Sequence, residues 1–162
     1  MRTQTMMKLL VLLAMALAVL ATPTTAISKD LDQPPFAPGT AEQGGFNRCS
    51  SQEYHKGDLA HPADMLDCLE ISRWASEHNG IWILKAIADP NDNDDWHMLR
   101  EQGGCALLVK NTAPTSIGNK DIADLIDAVH MGDGLELGPV EEVGTFYGCQ
   151  GGADVNFWLR GP

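Results

Sequence analysis

The sequence predicts an α+β domain, a split βαβ two-layer sandwich that two disulfides stabilise. Two stretches of helical periodicity alternate with short apolar runs that suit strands. Their order is strand, helix, strand, strand, helix, strand, with one further strand at the C-terminus. This βαββαβ order is typical of the split βαβ fold, in which the helices cover one face of an antiparallel sheet. The four cysteines, an even number, are expected to pair.

Residues 1–26 are expected to be a signal peptide. Arg2 and Lys8 are the only charged residues in this stretch, and an unbroken apolar run follows over residues 9–21. Such a run, as a helix, spans about 20 Å, which is too short for a bilayer core. We therefore expect cleavage after Ala26, or after Ala21, and a secreted, extracellular protein without a membrane span. Outside the cell thiols oxidise, which favours two disulfides.

Residues 27–47 are predicted to be a flexible linker or a propeptide. The segment contains three prolines and three glycines and few apolar residues. It therefore lacks the apolar surface whose burial would offset the entropy of ordering it. Residues 48–162 are predicted to form the folded domain.

The first strand is predicted at residues 49–54 and the first helix over residues 62–78. Pro62 suits a first helical turn, because the N–H that proline lacks would have no partner there. An Asn-Gly pair ending at Gly80 supplies a left-handed stop. The second strand is predicted over residues 81–88, a short apolar run rich in Ile and Trp.

An acidic loop is predicted at residues 89–95, where Asp95 would cap a helical turn over residues 96–101. The loop does not match an EF-hand, because Asp94 stands where the motif needs Gly and Arg100 where it needs Glu. We interpret the loop as a solvated turn and expect no metal site.

The third strand is predicted at residues 105–110, and the second helix begins at Asn119. The side-chain oxygen of Asn119 is expected to cap this helix by accepting a hydrogen bond from the backbone N–H of Asp121 or Ile122. Asp121 also complements the positive end of the helix dipole. A C-terminal hairpin completes the sheet, with strands at residues 141–149 and 154–159.

The strand order favours one of the three cysteine pairings. In a split βαβ sheet the first and fourth strands are antiparallel neighbours, so that Cys49 and Cys149 should meet. Cys68, on the first helix, should lie above Cys105 at the start of the third strand. The predicted disulfides are Cys49–Cys149 and Cys68–Cys105, and the alternative is the sequential pairing Cys49–Cys68 and Cys105–Cys149. The cysteine spacing does not fit a zinc site.

Charge and motifs argue against several classes of function. The net charge is −11, and this excess of acids disfavours binding to nucleic acid or anionic lipid. The sequence contains no GxSxG, HExxH, P-loop or dinucleotide-binding motif. With all cysteines oxidised no thiol nucleophile is left. We therefore expect no catalytic residue, no cofactor and no metal.

Motifs around the cysteines resemble a family of secreted fungal effectors. One set comprises a helix start at Gly118, Asn119, Asp121 and Ile122, followed by Gly144 and Trp158. A second set comprises Asp67-Cys68 on a helix, Gly80-x-Trp82 and Gly104-Cys105. Over residues 49–159 the chain is similar to the necrosis-inducing factors, homologues of extracellular protein 2 of a tomato leaf-mould fungus.

The resemblance implies a virulence effector with a killer-toxin-like α/β sandwich that acts in the host apoplast. It implies no catalytic residues, and a protein, expected to be a monomer, that binds a host plant protein or receptor or a target in a competitor. The alternative is a small secreted hydrolase or carbohydrate-binding module, for which tryptophans would provide a sugar-stacking surface. Trp82 and Trp158 are expected in the core, and Trp74 is expected to be exposed.

Overall fold

The computed structural model of the protein describes residues 33–39, 47–87, 95–132, 134–135 and 137–162. The predicted signal peptide and most of the acidic loop lie outside these residues. The described helices are α1 (Met65–Glu77) and α2 (Asn119–Gly132). The described strands are β1 (Phe36–Pro38), β2 (Ser51–Lys56), β3 (Ala63–Asp64), β4 (Gly80–Leu84), β5 (His97–Gln102), β6 (Cys105–Asn111), β7 (Thr115–Gly118), β8 (Pro139–Val140), β9 (Glu142–Tyr147) and β10 (Val155–Arg160).

The α+β class is confirmed, and the described strands form three antiparallel sheets. The large sheet has the order β2-β9-β10-β6-β5, a second sheet has the order β1-β4-β7, and β3 pairs with β8. As predicted, the first strand (β2) lies beside the fourth (β9), and β9 and β10 form the C-terminal hairpin.

A single sheet in split βαβ order is not confirmed. The predicted second strand, β4, pairs with β1 and β7 in the smaller sheet instead of lying beside β6. The two positions beside β6 are taken by β5 and β10, so that no edge of β6 is left for β4. One of its partners, β1, lies within the segment 27–47 for which the sequence predicts a linker or propeptide.

Two predicted elements differ in detail. The helical turn predicted over residues 96–101 is wrong, because residues 97–101 belong to β5, which forms a hairpin with β6 through a two-glycine turn. An isolated helix of six residues is unfavourable, because its first turn orders several residues for a single hydrogen bond. The hairpin is favoured instead, because it buries the side chain of Leu99 completely. Helix α1 begins at Met65 rather than at Pro62, because Asp64 caps it by accepting a hydrogen bond from the backbone N–H of Leu66 at 2.8 Å.

The core lies between the two helices, which pack against each other, and one face of the large sheet. Its largest fully buried side chains include Ile71, Ile122, Leu125 and Ile126 from the helices and Leu99, Leu107, Phe146 and Phe157 from the strands. In the part of the chain that the structure describes, no helix is long and apolar enough to cross a membrane.

The disulfides join Cys49 to Cys149 and Cys68 to Cys105, which are the two pairs that the strand order predicts. The first bond lies where the start of β2 meets the end of β9. The second bond ties the buried face of α1 to the first residue of β6. All four cysteines are buried, so the two bonds belong to the core.

Reduction of both disulfides is expected to unfold the domain. The bonds close loops with sequence separations of 100 and 37 residues. Closing such loops restricts the unfolded chain by about 4.7 and about 3.9 kcal/mol. Together these terms rival the free energy of unfolding of a typical domain, about 5–15 kcal/mol. Urea denaturation followed by circular dichroism should show a folded oxidised protein and an unfolded reduced and alkylated one. An alkylated protein with an unchanged urea midpoint would contradict this expectation.

Candidate interaction surface

An aromatic cluster lies on the face of the large sheet opposite the helices. Because alternate residues of a strand point to opposite faces, Phe157 and Leu159 face the core while Trp158 and Arg160 face away from it. The rings of Trp96 and His61 lie 5.8 Å and 5.6 Å from the ring of Trp158. We define the aromatic surface as His61, Trp96, Lys110, Trp158 and Arg160.

Two cations lie over the tryptophan rings of this surface. The guanidinium of Arg160 is 4.3 Å from the ring of Trp158, and the ammonium of Lys110 is 5.7 Å from the ring of Trp96. Each such contact stabilises by about 0.5–1 kcal/mol at exposed sites. Arg160, which is partly exposed, therefore places positive charge beside Trp158 in a chain whose net charge is −11, whereas Lys110 is only 8% exposed and lies beneath the surface. Trp and Arg are enriched at the residues that dominate protein interfaces.

A single buried carboxylate holds this surface together. Glu141, which is 3% exposed, accepts a hydrogen bond from the indole N–H of Trp158 at 2.9 Å and one from the backbone N–H of His61 at 3.0 Å. Its own carbonyl accepts a hydrogen bond from the N–H of Gly57 at 2.7 Å. Glu141 therefore fixes both the tryptophan and the loop that carries His61.

Glu141 is not among the site residues that the sequence predicts, and the prediction that Trp158 lies in the core is wrong. Trp158 was expected in the core, yet it is half-buried on the outer face, because its strand lies between two partners and only one of its faces is covered by helices. Trp82 is in the core as predicted, with 2% exposure. Trp74, expected to be exposed, is half-buried: it stacks on His78 and lies 4.2 Å from the guanidinium of Arg100.

The resemblance motif at Gly118, Asn119, Asp121 and Ile122 forms a structural junction between β7 and α2. The carboxylate of Asp121 accepts hydrogen bonds from the backbone N–H groups of Gly118 and Arg48, both at 2.8 Å, and of Cys49 at 3.3 Å. Ile122 is a core residue. The motif therefore joins the start of α2 to the chain that enters β2.

The predicted capping role of Asn119 is wrong. Helix α2 begins at Asn119, so the capping position is Gly118, and Asp121 reaches back to its N–H as the third helical residue does in a capping box. Asn119 instead accepts a hydrogen bond from the indole N–H of Trp82 at 2.9 Å, and its amide donates to the carbonyl of His78. Its side chain therefore ties α2 to β4 and to the end of α1.

The last glycine of the resemblance motif, Gly144, is required by a close approach. A Cβ at this position would lie 2.1 Å from the carbonyl oxygen of Glu53 and 2.6 Å from the ring of Phe157. Of the residues in the first resemblance set, only Trp158 therefore contributes a side chain to the aromatic surface. Within the described ranges, no group of three or more His, Cys, Asp or Glu side chains could hold a metal ion.

Burial raises the pKa of the Asp121 carboxyl above its ordinary value of 3.8. The hydrogen bonds from the backbone N–H groups of Arg48, Gly118 and Cys49 oppose this rise, because they stabilise the charged form, but they do not cancel it. Burial of the charged Asp121 carboxylate is therefore unfavourable, but the same carboxylate is the acceptor that three backbone N–H groups need.

Replacing Glu141 by Ala is expected to lower the free energy of unfolding by about 3 kcal/mol. The change leaves two donors without their acceptor, and each unsatisfied buried group costs about 1–3 kcal/mol. The exposed Glu101 in β5 offers a matched control, for which Glu101→Ala should cost less than about 0.5 kcal/mol. Urea denaturation of the two variants measures the difference, and similar losses would refute the role of Glu141.

Replacing Asp121 by Ala is expected to cost about 3 kcal/mol or more, since three backbone donors lose their acceptor at about 1–3 kcal/mol each. Asp121→Asn should cost less, because the amide keeps one acceptor oxygen.

The difference in stability between the wild type and Asp121→Asn is expected to depend on pH. The folded pKa is raised, so the folded state binds the proton more tightly than the unfolded state. The advantage of the wild type over Asp121→Asn should therefore be greatest below pH 3.8 and decline as the pH rises through the folded pKa. Urea midpoints of both proteins across that range provide the measurement, and an advantage that grows with pH would show the opposite sign.

Comparison with known proteins agrees with the resemblance. The Hce2 family model, described as "Pathogen effector; putative necrosis-inducing factor", matches residues 48–146. The match includes both helices, three of the four cysteines and every resemblance residue except Trp158. No curated protein matches the chain. Because the family model covers more than half of the sequence, the chain belongs to this family of pathogen effectors.

Proposed function

We propose that the protein is a secreted effector that binds a target protein in the extracellular space through the aromatic surface. The observation that carries the proposal is that the rings of His61 and Trp96 and the guanidinium of Arg160 lie around Trp158 on the sheet face opposite the helices. Membership of a pathogen effector family supports the effector role. The two buried disulfides support export, because such bonds persist in oxidising compartments.

The proposal includes the features expected of the whole chain. Residues 1–26 direct export, residues 27–47 form a linker or propeptide of which β1 pairs with β4, and residues 48–162 act as a monomer. The source is fungal, and the site of action is the apoplast of a host plant, where the target is a plant protein or receptor or a molecule of a competitor. Action is by binding, since the family is not a known enzyme family.

The ring geometry favours a protein target over a carbohydrate. A sugar-stacking platform needs open aromatic faces that lie in one plane, but the rings of Trp96 and Trp158 are tilted by 57°. One face of Trp158 is in addition covered by the guanidinium of Arg160. Tilted rings beside cations suit a protein partner that presents apolar and acidic side chains. A hydrolase or carbohydrate-binding module is the alternative.

The double change His61→Ala with Trp96→Ala tests the proposal. It truncates two rings of the surface and leaves the hydrogen bond between Trp158 and Glu141 in place. The matched control is Leu66→Ala, which truncates an apolar side chain, 55% exposed, on α1. Oxidised wild type, both variants and a reduced, alkylated sample are infiltrated into leaves of candidate hosts, and electrolyte leakage is measured.

The double variant should need about tenfold or more protein for the same response, because truncating central interface aromatics typically costs about 2 kcal/mol of binding energy. Leu66→Ala should behave as the wild type. A double variant with full activity and an unchanged urea midpoint would refute the assignment of the surface. Binding of wild type in a glycan array, lost in the double variant, would favour the carbohydrate alternative.

A further inference from the structure

A second candidate binding site lies along β4, and it shares no residue with the aromatic surface. Residues 33–39, termed the arm, lie against β4 in extended conformation, with Phe36 opposite Trp82. The N–H of Ile83 donates to the carbonyl of Pro35 at 3.0 Å, and the N–H of Gly39 donates to the carbonyl of Asn79 at 2.9 Å. The arm is thus a short strand added to the edge of the β4–β7 pair.

The arm inserts one aromatic side chain into a pocket. The ring of Phe36 lies 5.0 Å from the ring of Trp82 and 5.5 Å from that of Trp74. Its end lies over Gly80, where a Cβ would be 2.4 Å from the ring. The missing side chain of Gly80 therefore creates the space, and the two tryptophans make that space selective for a flat apolar group.

The pocket is held in shape by residues outside the arm. The indole N–H of Trp82 is fixed by its buried hydrogen bond to Asn119. The ring of Trp74 is stacked on His78, with ring centres 4.6 Å apart, and it contacts the guanidinium of Arg100. Because these contacts do not involve the arm, the aromatic floor stays in place when the arm leaves. The site is therefore preorganised for a ligand.

The arm leaves one hydrogen-bonding position of β4 unused. In an antiparallel ladder, residues of a hydrogen-bonded pair exchange two bonds. Pro35 accepts from Ile83 but has no N–H to return, so the carbonyl of Ile83 receives no bond from the residue opposite. The arm is held by its hydrogen bonds to β4 between Pro35 and Gly39 and by the bond from the side chain of Gln33 to the carbonyl of Leu99 at 2.8 Å, while Phe36 stays half-buried. A peptide without proline at this position can form one bond more.

We propose that the edge of β4 is a binding site for an extended peptide of a partner protein. The peptide carries an aromatic residue at the position of Phe36 and a residue other than proline before it, and it displaces the arm by strand addition. A second copy of the chain is disfavoured as the donor. Its arm has the same sequence as the resident arm, which has the advantage of a tethered effective concentration.

Three labelled heptapeptides test the proposal by fluorescence anisotropy against the oxidised protein. They are the arm sequence of residues 33–39, the same peptide with Pro35→Val, and the latter with Phe36→Ala. Each is titrated against the wild type and against the Phe36→Ala variant, whose resident arm lacks its anchor.

The Phe36→Ala protein should bind the Pro35→Val peptide about tenfold or more tightly than it binds the peptide that also lacks Phe36. It should also bind the Pro35→Val peptide about tenfold more tightly than the wild-type protein does, because the resident arm of the wild type competes for the site. The unmodified arm peptide should rank between the other two. Equal binding of the three peptides, or no binding by a folded variant, would overturn the proposal.

Amide hydrogen exchange on the wild type keeps the test decisive if Phe36→Ala does not fold. The amides of Gly39 and Ile83, which the arm protects, should exchange about 100-fold or more faster than those of Leu107 and Val109 in the large sheet. Equal protection would mean an arm that does not leave, and would overturn the proposal. A wild-type dimer that Phe36→Ala converts to monomer would also overturn it, since the occupant would then be a second copy.

Discussion

The carboxylate of Asp121 joins the start of α2 to a segment more than 70 residues earlier in the chain. It accepts hydrogen bonds from the residue before α2 and from two consecutive residues that lead into β2. One of the latter is Cys49, whose disulfide continues the junction to the end of β9. Asp121 therefore links the helical layer to the edge strand of the large sheet, and the disulfide extends this link to the C-terminal hairpin. The position of the large sheet against the helices depends on this contact.

Glu141 has the same kind of role at the opposite end of β9. Both acids are buried, and both accept backbone N–H groups of segments more than 70 residues away. Burying a carboxylate is unfavourable by itself and is tolerated only where donors replace its water. The acidity of the chain is thus not solely a matter of solubility, because two of its acids act as connectors inside the fold. One connector supports the junction of layers, and the other supports the aromatic surface.

The features that could be predicted from the sequence are those that depend on local patterns or on the order of the elements along the chain. The helices, the C-terminal hairpin and the neighbourhood of β2 and β9 followed from periodicity and element order, and with them the pairing of Cys49 with Cys149. Residues 97–102 were misassigned because their turn glycines suit a helix end as well as a hairpin, and only pairing with β6 decides between them. Glu141 was missed because its partner His61 lies 80 residues away and no local motif marks it. Asn119 was misread because its partner, Trp82, is supplied by another strand.

The two disulfides do not cross-link the arm, residues 33–39, to the rest of the fold. The first cysteine is Cys49, so both disulfide loops lie C-terminal to the arm. A peptide-bond cut anywhere between Gly39 and Asn47 would leave the arm held by noncovalent contacts, which include its strand pairing, the Phe36 contacts and the hydrogen bond from the side chain of Gln33 to the carbonyl of Leu99 at 2.8 Å. Proteolysis at that position converts an intramolecular strand into a bound peptide that dilution removes. A protease in the surroundings would then set how long the tryptophan pocket stays covered after export, and the remainder of the domain would keep its cross-links throughout.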